Sequence, residues 1–296
     1  MADPFEFWQS LWPSAALGAP FFQTPPQQQP ELATLDQVRV DLSTMWLRER
    51  SCRRDCAAVP TLIVAPFALH DSSIADFALG HSLAEAFTNA GISSLAMTQW
   101  KSATEAMRDF GIDTYLADLN VAVDDLGGRA ALVGLCQGGW LATAYAARFP
   151  RKVAALVLAG APIDLSAASS QITRSLSGVS PQMLESIVGL HGGRVMGQVA
   201  LPFWTRGMDR KFDARETLQC GDESALLAKA DAWNVFTVDL PGTYFLQTSE
   251  WLFRENKLAR NLFPVLGRLC DLGRIEAPIF VLAAKDDEIV ALPQAV

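Results

Sequence analysis

The chain has 296 residues, half of them apolar, and a formal net charge of −8. That acidity argues against a nucleic-acid backbone as partner, and no stretch approaches the ~20 consecutive apolar residues of a membrane-spanning helix. No basic-then-apolar leader opens the sequence, and the odd set of five cysteines fits a reducing cytoplasm better than a disulfide framework.

Residues 1–34 read as a separate segment. Phe5, Trp8, Leu11 and Trp12 recur at helical spacing after Asp3-Pro4, and the Pro/Gln-rich run FFQTPPQQQP then reads as a linker. The aromatic helix either docks on a partner or caps its own domain. Residues 35–296 read as one core. Alternation over Gln37–Leu42 and Met45–Arg48 predicts a hairpin, and the apolar run Thr61–Ala65 a buried strand leading to Pro66-Phe67-Ala68-Leu69-His70-Asp71. Cys52 and Cys56 form either a redox pair or part of a solvated loop.

A helix is expected over Leu79–Ala90 and a strand over Ile92–Met97. Ile112, Tyr115, Leu116, Leu119, Val123 and Leu126 then mark one face of a helix ended by Gly127-Gly128. Ala130–Val133 is a strand, and the alanine-rich stretch Trp140–Arg148 a helix. Between them lies Gly134-Leu135-Cys136-Gln137-Gly138-Gly139. Strand, G-x-nucleophile-x-G and helix form the pattern of a nucleophile elbow, in which a Cβ at position 134 or 138 would strike the neighbouring strand or helix. Cys136 at the helix start favours the thiolate through the helix dipole. The alternative is a buried structural cysteine.

Val153–Ala159 is a further buried strand, and strand–helix alternation predicts an α/β fold with a mostly parallel sheet. The rhythm breaks from Ala161 to Arg274, so a lid insertion is expected at about 163–275, with a helix near Gly242–Leu258. Pro278–Ala283 resumes the sheet and runs into Asp286-Asp287. An elbow nucleophile needs a base, and the base a carboxylate that orients it; in this fold the order is nucleophile, acid, histidine. Asp287 fits the acid's place and Asp286 a solvated turn. The three histidines, His70, His81 and His191, all precede Asp287. An oxyanion would meet the backbone N–H of Gln137 and a second N–H from Phe67 or Ala68. His70 either contacts substrate or is structural.

The box Gly134-Leu135-Cys136-Gln137-Gly138-Gly139 resembles the lipase-like box of polyhydroxyalkanoate synthases, nearest to the short synthases that work with a companion subunit. LIVAPF (62–67), the stretch from Met97 to Tyr115, PRKVAALVLAGAPIDL (150–165) and DLGRIEAPIFVLAAKDDEIV (271–290) fit in the same order. The resemblance implies an α/β-hydrolase fold, Cys136 as acyl-carrying nucleophile and Asp287 as triad aspartate. It implies a 3-hydroxyacyl-CoA thioester or polyester chain as substrate, with no metal and no bound cofactor. A cytoplasmic location, at the surface of polymer granules, goes with it, as does a companion subunit or a homodimer. The family's histidine follows one strand and loop after the aspartate, a position this sequence lacks. The expectation is therefore a C-terminally truncated chain, the other reading being an inactive one. Intracellular polyhydroxyalkanoate depolymerases compete, because the loop APFALH (65–70) and the stretch from Asp239 to Leu258 resemble theirs. The third reading is an inactive homologue that binds a granule or partner.

Overall fold

The computed structural model describes residues 28–50, 58–171, 173–174, 178–205 and 223–296. The expected aromatic helix near Phe5–Trp12, the Cys52/Cys56 pair and Cys220 lie outside the described residues. Seven strands form the central sheet: β1 (Gln37–Asp41), β2 (Met45–Glu49), β3 (Thr61–Val64), β4 (Leu95–Trp100), β5 (Ala130–Leu135), β6 (Val153–Ala159) and β7 (Ile279–Leu282). Their spatial order is β1-β2-β4-β3-β5-β6-β7. The hairpin β1–β2 and the pair β2–β4 are antiparallel, and the other four pairings are parallel. This is the mostly parallel α/β sheet that the strand–helix alternation predicts.

The parallel centre needs cover on both faces, which is why its strands are apolar runs rather than alternations. Along β3, Leu62 and Val64 point into the larger core, with Trp140, Tyr145 and Leu119, while Ile63 and Ala65 face a smaller one with Leu35, Ala84 and Met97. Each fully buried large side chain of this kind stabilises the fold by roughly 1.5–3 kcal/mol. The helices α1 (Leu83–Asn89), α2 (Ile112–Asp125) and α3 (Gln137–Arg148) supply the covers. In α2 the predicted face Ile112, Tyr115, Leu116, Leu119 and Val123 is buried. In α3 every residue from Gln137 to Ala147 is buried, and its alanines allow close approach to β5 and β6.

Two boundaries differ from expectation. The region expected as a helix from Leu79 begins instead as a short hairpin, Asp76–Ala78 against His81–Ser82. Gly80 turns it at φ +77°, and Ser82 then caps α1 by accepting from the Glu85 N–H at 2.9 Å. The strand expected at Ile92–Met97 is displaced to Leu95–Trp100 because Gly91 (φ +91°) carries a turn first. The Trp100 indole N–H then closes on the Ala65 carbonyl at 2.8 Å.

Between β6 and β7 the chain leaves the sheet. It forms α4 (Pro181–Leu190), α5 (Gly197–Thr205), α6 (Glu223–Val235) and α7 (Gly242–Gln247), and α7 runs into a π-helix at Thr248–Arg254. Arg194–Val195 pairs with Leu240–Pro241. β7 is the far edge of the sheet, and its Ile279, Phe280 and Leu282 are exposed. No helix among the described residues is long and apolar enough to cross a membrane.

Candidate active site

β5 ends at Leu135 and α3 begins at Gln137, so a single residue, Cys136, makes the reversal. Its backbone stands at φ +46°, ψ −117°, a sparsely populated conformation that costs on the order of 1–3 kcal/mol unless its surroundings impose it. Here they do. The Cys136 N–H donates to the Ala159 carbonyl at 2.8 Å, and the Gly139 N–H donates to the Cys136 carbonyl at 2.8 Å. The two glycines are sterically required: a Cβ on Gly134 would stand 2.4 Å from Gly139 Cα, and one on Gly138 2.1 Å from the Val64 carbonyl oxygen.

Beside the elbow, the Trp140 indole N–H donates to Gln137 Oε1 at 2.6 Å, with both residues buried. Trp140 therefore does more than pack. It fixes the side chain of the residue whose backbone N–H flanks the thiol.

The loop after β3 approaches from the neighbouring strand. Its Ala65 N–H donates to Thr98 Oγ1 at 3.0 Å, and Phe67 lies buried among Tyr115 (centroids 4.9 Å), Tyr244 (5.1 Å) and Trp100 (5.7 Å). Leu69 takes a left-handed φ of +74°. His70 stacks on Trp233 at 4.3 Å and 25°. Its Nδ1 lies 3.4 Å from the Phe236 carbonyl. Burial holds the imidazole below its ordinary pKa, against the opposing pull of the Phe236 and Trp233 carbonyls.

Phe67, Ala68, His70, Cys136 and Gln137 all line one cavity of about 320 Å³. Its remaining wall comes from the insertion and is mostly hydrocarbon: Leu201, Leu240, Tyr244, Phe245 and Phe253, with Thr248 and Ser249 adding hydroxyls. Ile74 and Ile289 also line it, both about 40 % exposed, and they mark its mouth. Sequence reasoning singled out none of these wall residues. The only signal was the resemblance carried by Asp239–Leu258.

Asp287 follows β7, on the other side of β5 and β6 from the His70 loop. Its Oδ1 accepts from the N–H groups of Ile289 (2.9 Å) and Val290 (3.0 Å). A Cβ on Gly160 would lie 3.9 Å from its Oδ2, which places the carboxylate at the end of β6. Its charge reaches Cys136. Asp286 is exposed. Of the other histidines, His81 is exposed and His191 ends α4, so His70 alone of the three lines the cavity.

The electrostatics of the thiol correct one expectation. The helix start favours a thiolate, but burial pushes the Cys136 thiol up to about 11, Asp287 adds to the rise, and the Gln137 N–H opposes it without prevailing. Among apolar walls desolvation of the charged form outweighs the helix end. At rest the Cys136 side chain is the neutral thiol.

A family model described as alpha/beta hydrolase fold matches residues 87–296. The poly(3-hydroxyalkanoate) polymerase subunit PhaC of Synechocystis sp. is 28 % identical over 249 residues, covering 79 % of this chain and 65 % of that protein. Poly(3-hydroxyalkanoate) polymerase 1 of Ectopseudomonas oleovorans is 29 % identical over 207 residues, 64 % of this chain and 36 % of its own length. The chain thus spans between about a third and two thirds of these relatives. Among solved structures, a bacterial membrane phospholipase A aligns with a TM-score of 0.47 at 14 % identity, covering 90 % of this chain and 73 % of that one. A Bacillus megaterium epoxide hydrolase aligns with 0.47 at 12 % identity, covering 86 % and 85 %.

Proposed function

This chain belongs to the alpha/beta hydrolase fold family, and from that premise we propose that it is an acyltransferase of the polyester-synthase type, with Cys136 carrying the acyl group of a 3-hydroxyacyl-CoA thioester. The observation that carries the reading is the elbow itself: a cysteine held at φ +46° between two glycines that tolerate no Cβ, at the wall of an apolar cavity. The similarity to poly(3-hydroxyalkanoate) polymerases supports the substrate class.

Cysteine suits a substrate that is already a thioester. The Cys136 sulfur attacks the thioester carbonyl, a C–S bond forms, and the bond to coenzyme A breaks. The proton lost from Cys136 ends on the departing thiol. One thioester replaces another, so the step is close to thermoneutral and the acyl group stays activated. The tetrahedral oxyanion is met by the Gln137 N–H and by an N–H at Phe67 or Ala68, each such donor contributing ~3 kcal/mol to the transition state. The hydroxyl of a second 3-hydroxyacyl unit then attacks the acyl-cysteine. A C–O bond forms, the C–S bond breaks, and the hydroxyl proton returns to Cys136. Asp287 supplies the carboxylate that orients a base in the order this fold uses. A companion subunit or a second copy, and a cytoplasmic site at a polymer granule, belong to the same proposal.

Peptide-mapping mass spectrometry after incubation with 3-hydroxyacyl-CoA tests it. The acyl adduct is expected on Cys136 and absent from Cys136→Ser. An adduct on Cys270 instead, or none on Cys136, overturns the assignment. An adduct that releases only free 3-hydroxy acid and no oligomer identifies an ester hydrolase.

A further inference from the structure

The cavity beside the elbow has polar side chains in its wall, and several of them are already engaged. The Asp71 carboxylate accepts from the Ser73 N–H on Oδ1 at 2.8 Å and from the Gln29 amide on Oδ2 at 2.9 Å. Gln137 Oε1 is taken by the Trp140 indole N–H, and the Trp233 indole N–H is given to the Asp71 carbonyl. His70 differs from these. The Phe236 carbonyl can only accept, so its approach to Nδ1 at 3.4 Å keeps the ring proton on Nδ1 and leaves the lone pair on Nε2. Burial disfavours the imidazolium, so the ring stays neutral.

Nε2 has no partner among the described residues, yet it is not sealed from solvent. Trp233 covers one face of the ring, and the open space that His70 borders is the cavity. Val64 of β3 lies in register beside Gly134 of β5. The loop that carries His70 and the elbow that carries Cys136 therefore leave the sheet side by side and line the same cavity. On that side a neutral imidazole whose proton is committed presents an acceptor and nothing else. This selects the ligand group. Alkyl carbon and ester or thioester carbonyls have no hydrogen to give, whereas an alcohol has one. A ligand without a donor strips water from Nε2 and leaves it unpaired, which is penalised.

We propose that His70 selects 3-hydroxyacyl groups over their 3-deoxy counterparts, its Nε2 accepting a hydrogen bond from the substrate's own hydroxyl. No proton is transferred in this contact. It holds the hydroxyl, and the acyl group that bears it, in the cavity beside Cys136. The inference rests on the acyl-transfer reading for the identity of the acyl group only, and binding tests it without transfer.

The probes are amide analogues of acyl-pantetheine, in which nitrogen replaces the reactive sulfur, carrying a butyryl, a 3-hydroxybutyryl or a 3-fluorobutyryl group. Fluorine is close to a hydroxyl in size but has no hydrogen to donate. In calorimetric titration of the full chain the 3-hydroxy amide is expected to bind about three- to tenfold more tightly than either of the others, the range of one net hydrogen bond. His70→Phe keeps a ring against Trp233 and removes the acceptor, and in it the preference is expected to vanish. Equal binding of the 3-hydroxy and 3-fluoro amides, or a preference that survives His70→Phe, overturns the proposal. Where that variant does not fold, nitrogen-15 NMR of the histidine-labelled chain decides, with the His70 signals assigned by replacing His81 and His191. The Nε2 resonance is expected to shift with the 3-hydroxy amide and not with the butyryl amide, and an unmoved resonance overturns the proposal. Absence of hydroxyl selection with intact acylation of Cys136 refutes this inference alone. The reverse result refutes the transfer reading alone.

Discussion

Alkylation of Cys136 by iodoacetamide, followed with pH, tests the central electrostatic finding. With the thiol at about 11, the thiolate fraction at pH 7 is about one part in 10⁴, against ~3 % for an ordinary cysteine near 8.5. That deficit is ~300-fold. A more basic thiolate is a better nucleophile, with a Brønsted slope of about 0.4–0.5, which returns roughly tenfold. Cys136 should therefore react ~30-fold more slowly than a cysteine in a short peptide at pH 7. Its rate should also rise about tenfold per pH unit, without a plateau, up to about pH 10. Peptide mapping resolves Cys136 from the other cysteines, and Cys270, buried and pushed up to about 12, should lag further. A rate at pH 7 above that of the peptide, or a plateau near neutrality, would refute the argument. It would mean that the helix end or a base beats desolvation.

Two further outcomes test the scaffold and the cavity wall. Gly138→Ala forces a Cβ against the Val64 carbonyl at 2.1 Å, a backbone clash expected to cost on the order of 3 kcal/mol, whereas Gly189→Ala in α4 has nothing within 4 Å and should stabilise by roughly 0.5–1 kcal/mol; urea denaturation of both variants checks the contrast, and equal effects would contradict it. Burial lowers the His70 pKa below its ordinary value of 6.5, so the unfolded chain binds the proton more readily. Stability from this group is complete above about pH 6.5 and declines as pH falls through the folded value. His70→Gln should flatten the acid limb of the melting temperature between pH 7 and 5, and an unchanged or steeper limb would contradict the shift.

The parts of the fold legible in the sequence are those fixed locally. The elbow could be read because its constraint falls on fixed, closely spaced positions: Gly134 is demanded by Gly139 of the following helix and Gly138 by Val64 of the neighbouring strand, so the glycine spacing itself records the strand–turn–helix reversal. The buried strands could be read because parallel pairing leaves no polar face to them. Boundaries slipped where a turn residue competed with periodicity, as at Gly80 with Ser82 and at Gly91. The state of the Cys136 thiol was not legible. A helix start is visible in sequence, whereas its desolvation depends on Leu201, Leu240, Tyr244 and Phe253, residues far along the chain that meet only in the folded molecule. For the same reason the π-helix at Thr248–Arg254 left no periodic signature, and the sequence suggests only one helix there.

The insertion and the loop after β3 form one seam. The Val238 N–H donates to the Leu69 carbonyl at 2.7 Å, and the Trp233 indole N–H donates to the Asp71 carbonyl at 3.0 Å. Asp239 is itself fixed, its carboxylate accepting from the Gly197 N–H at 3.0 Å and its carbonyl from the Ala103 N–H at 3.0 Å. Residues 233–239 therefore brace the loop that carries Phe67 and Ala68 in the cavity wall shared with Cys136, and they also position the His70 ring at that wall. Oxyanion donors are effective only when their direction is set before the charge develops. On the proposed reading, the direction of the donors at Phe67 or Ala68 rests on contacts made by the insertion, as far along the chain as the 166 residues between His70 and Phe236. The same contacts close the apolar wall that keeps the thiol protonated at rest. On the proposed acyl-transfer reading, the contacts that set the oxyanion donors are thus also those that keep Cys136 in its less reactive thiol form at rest.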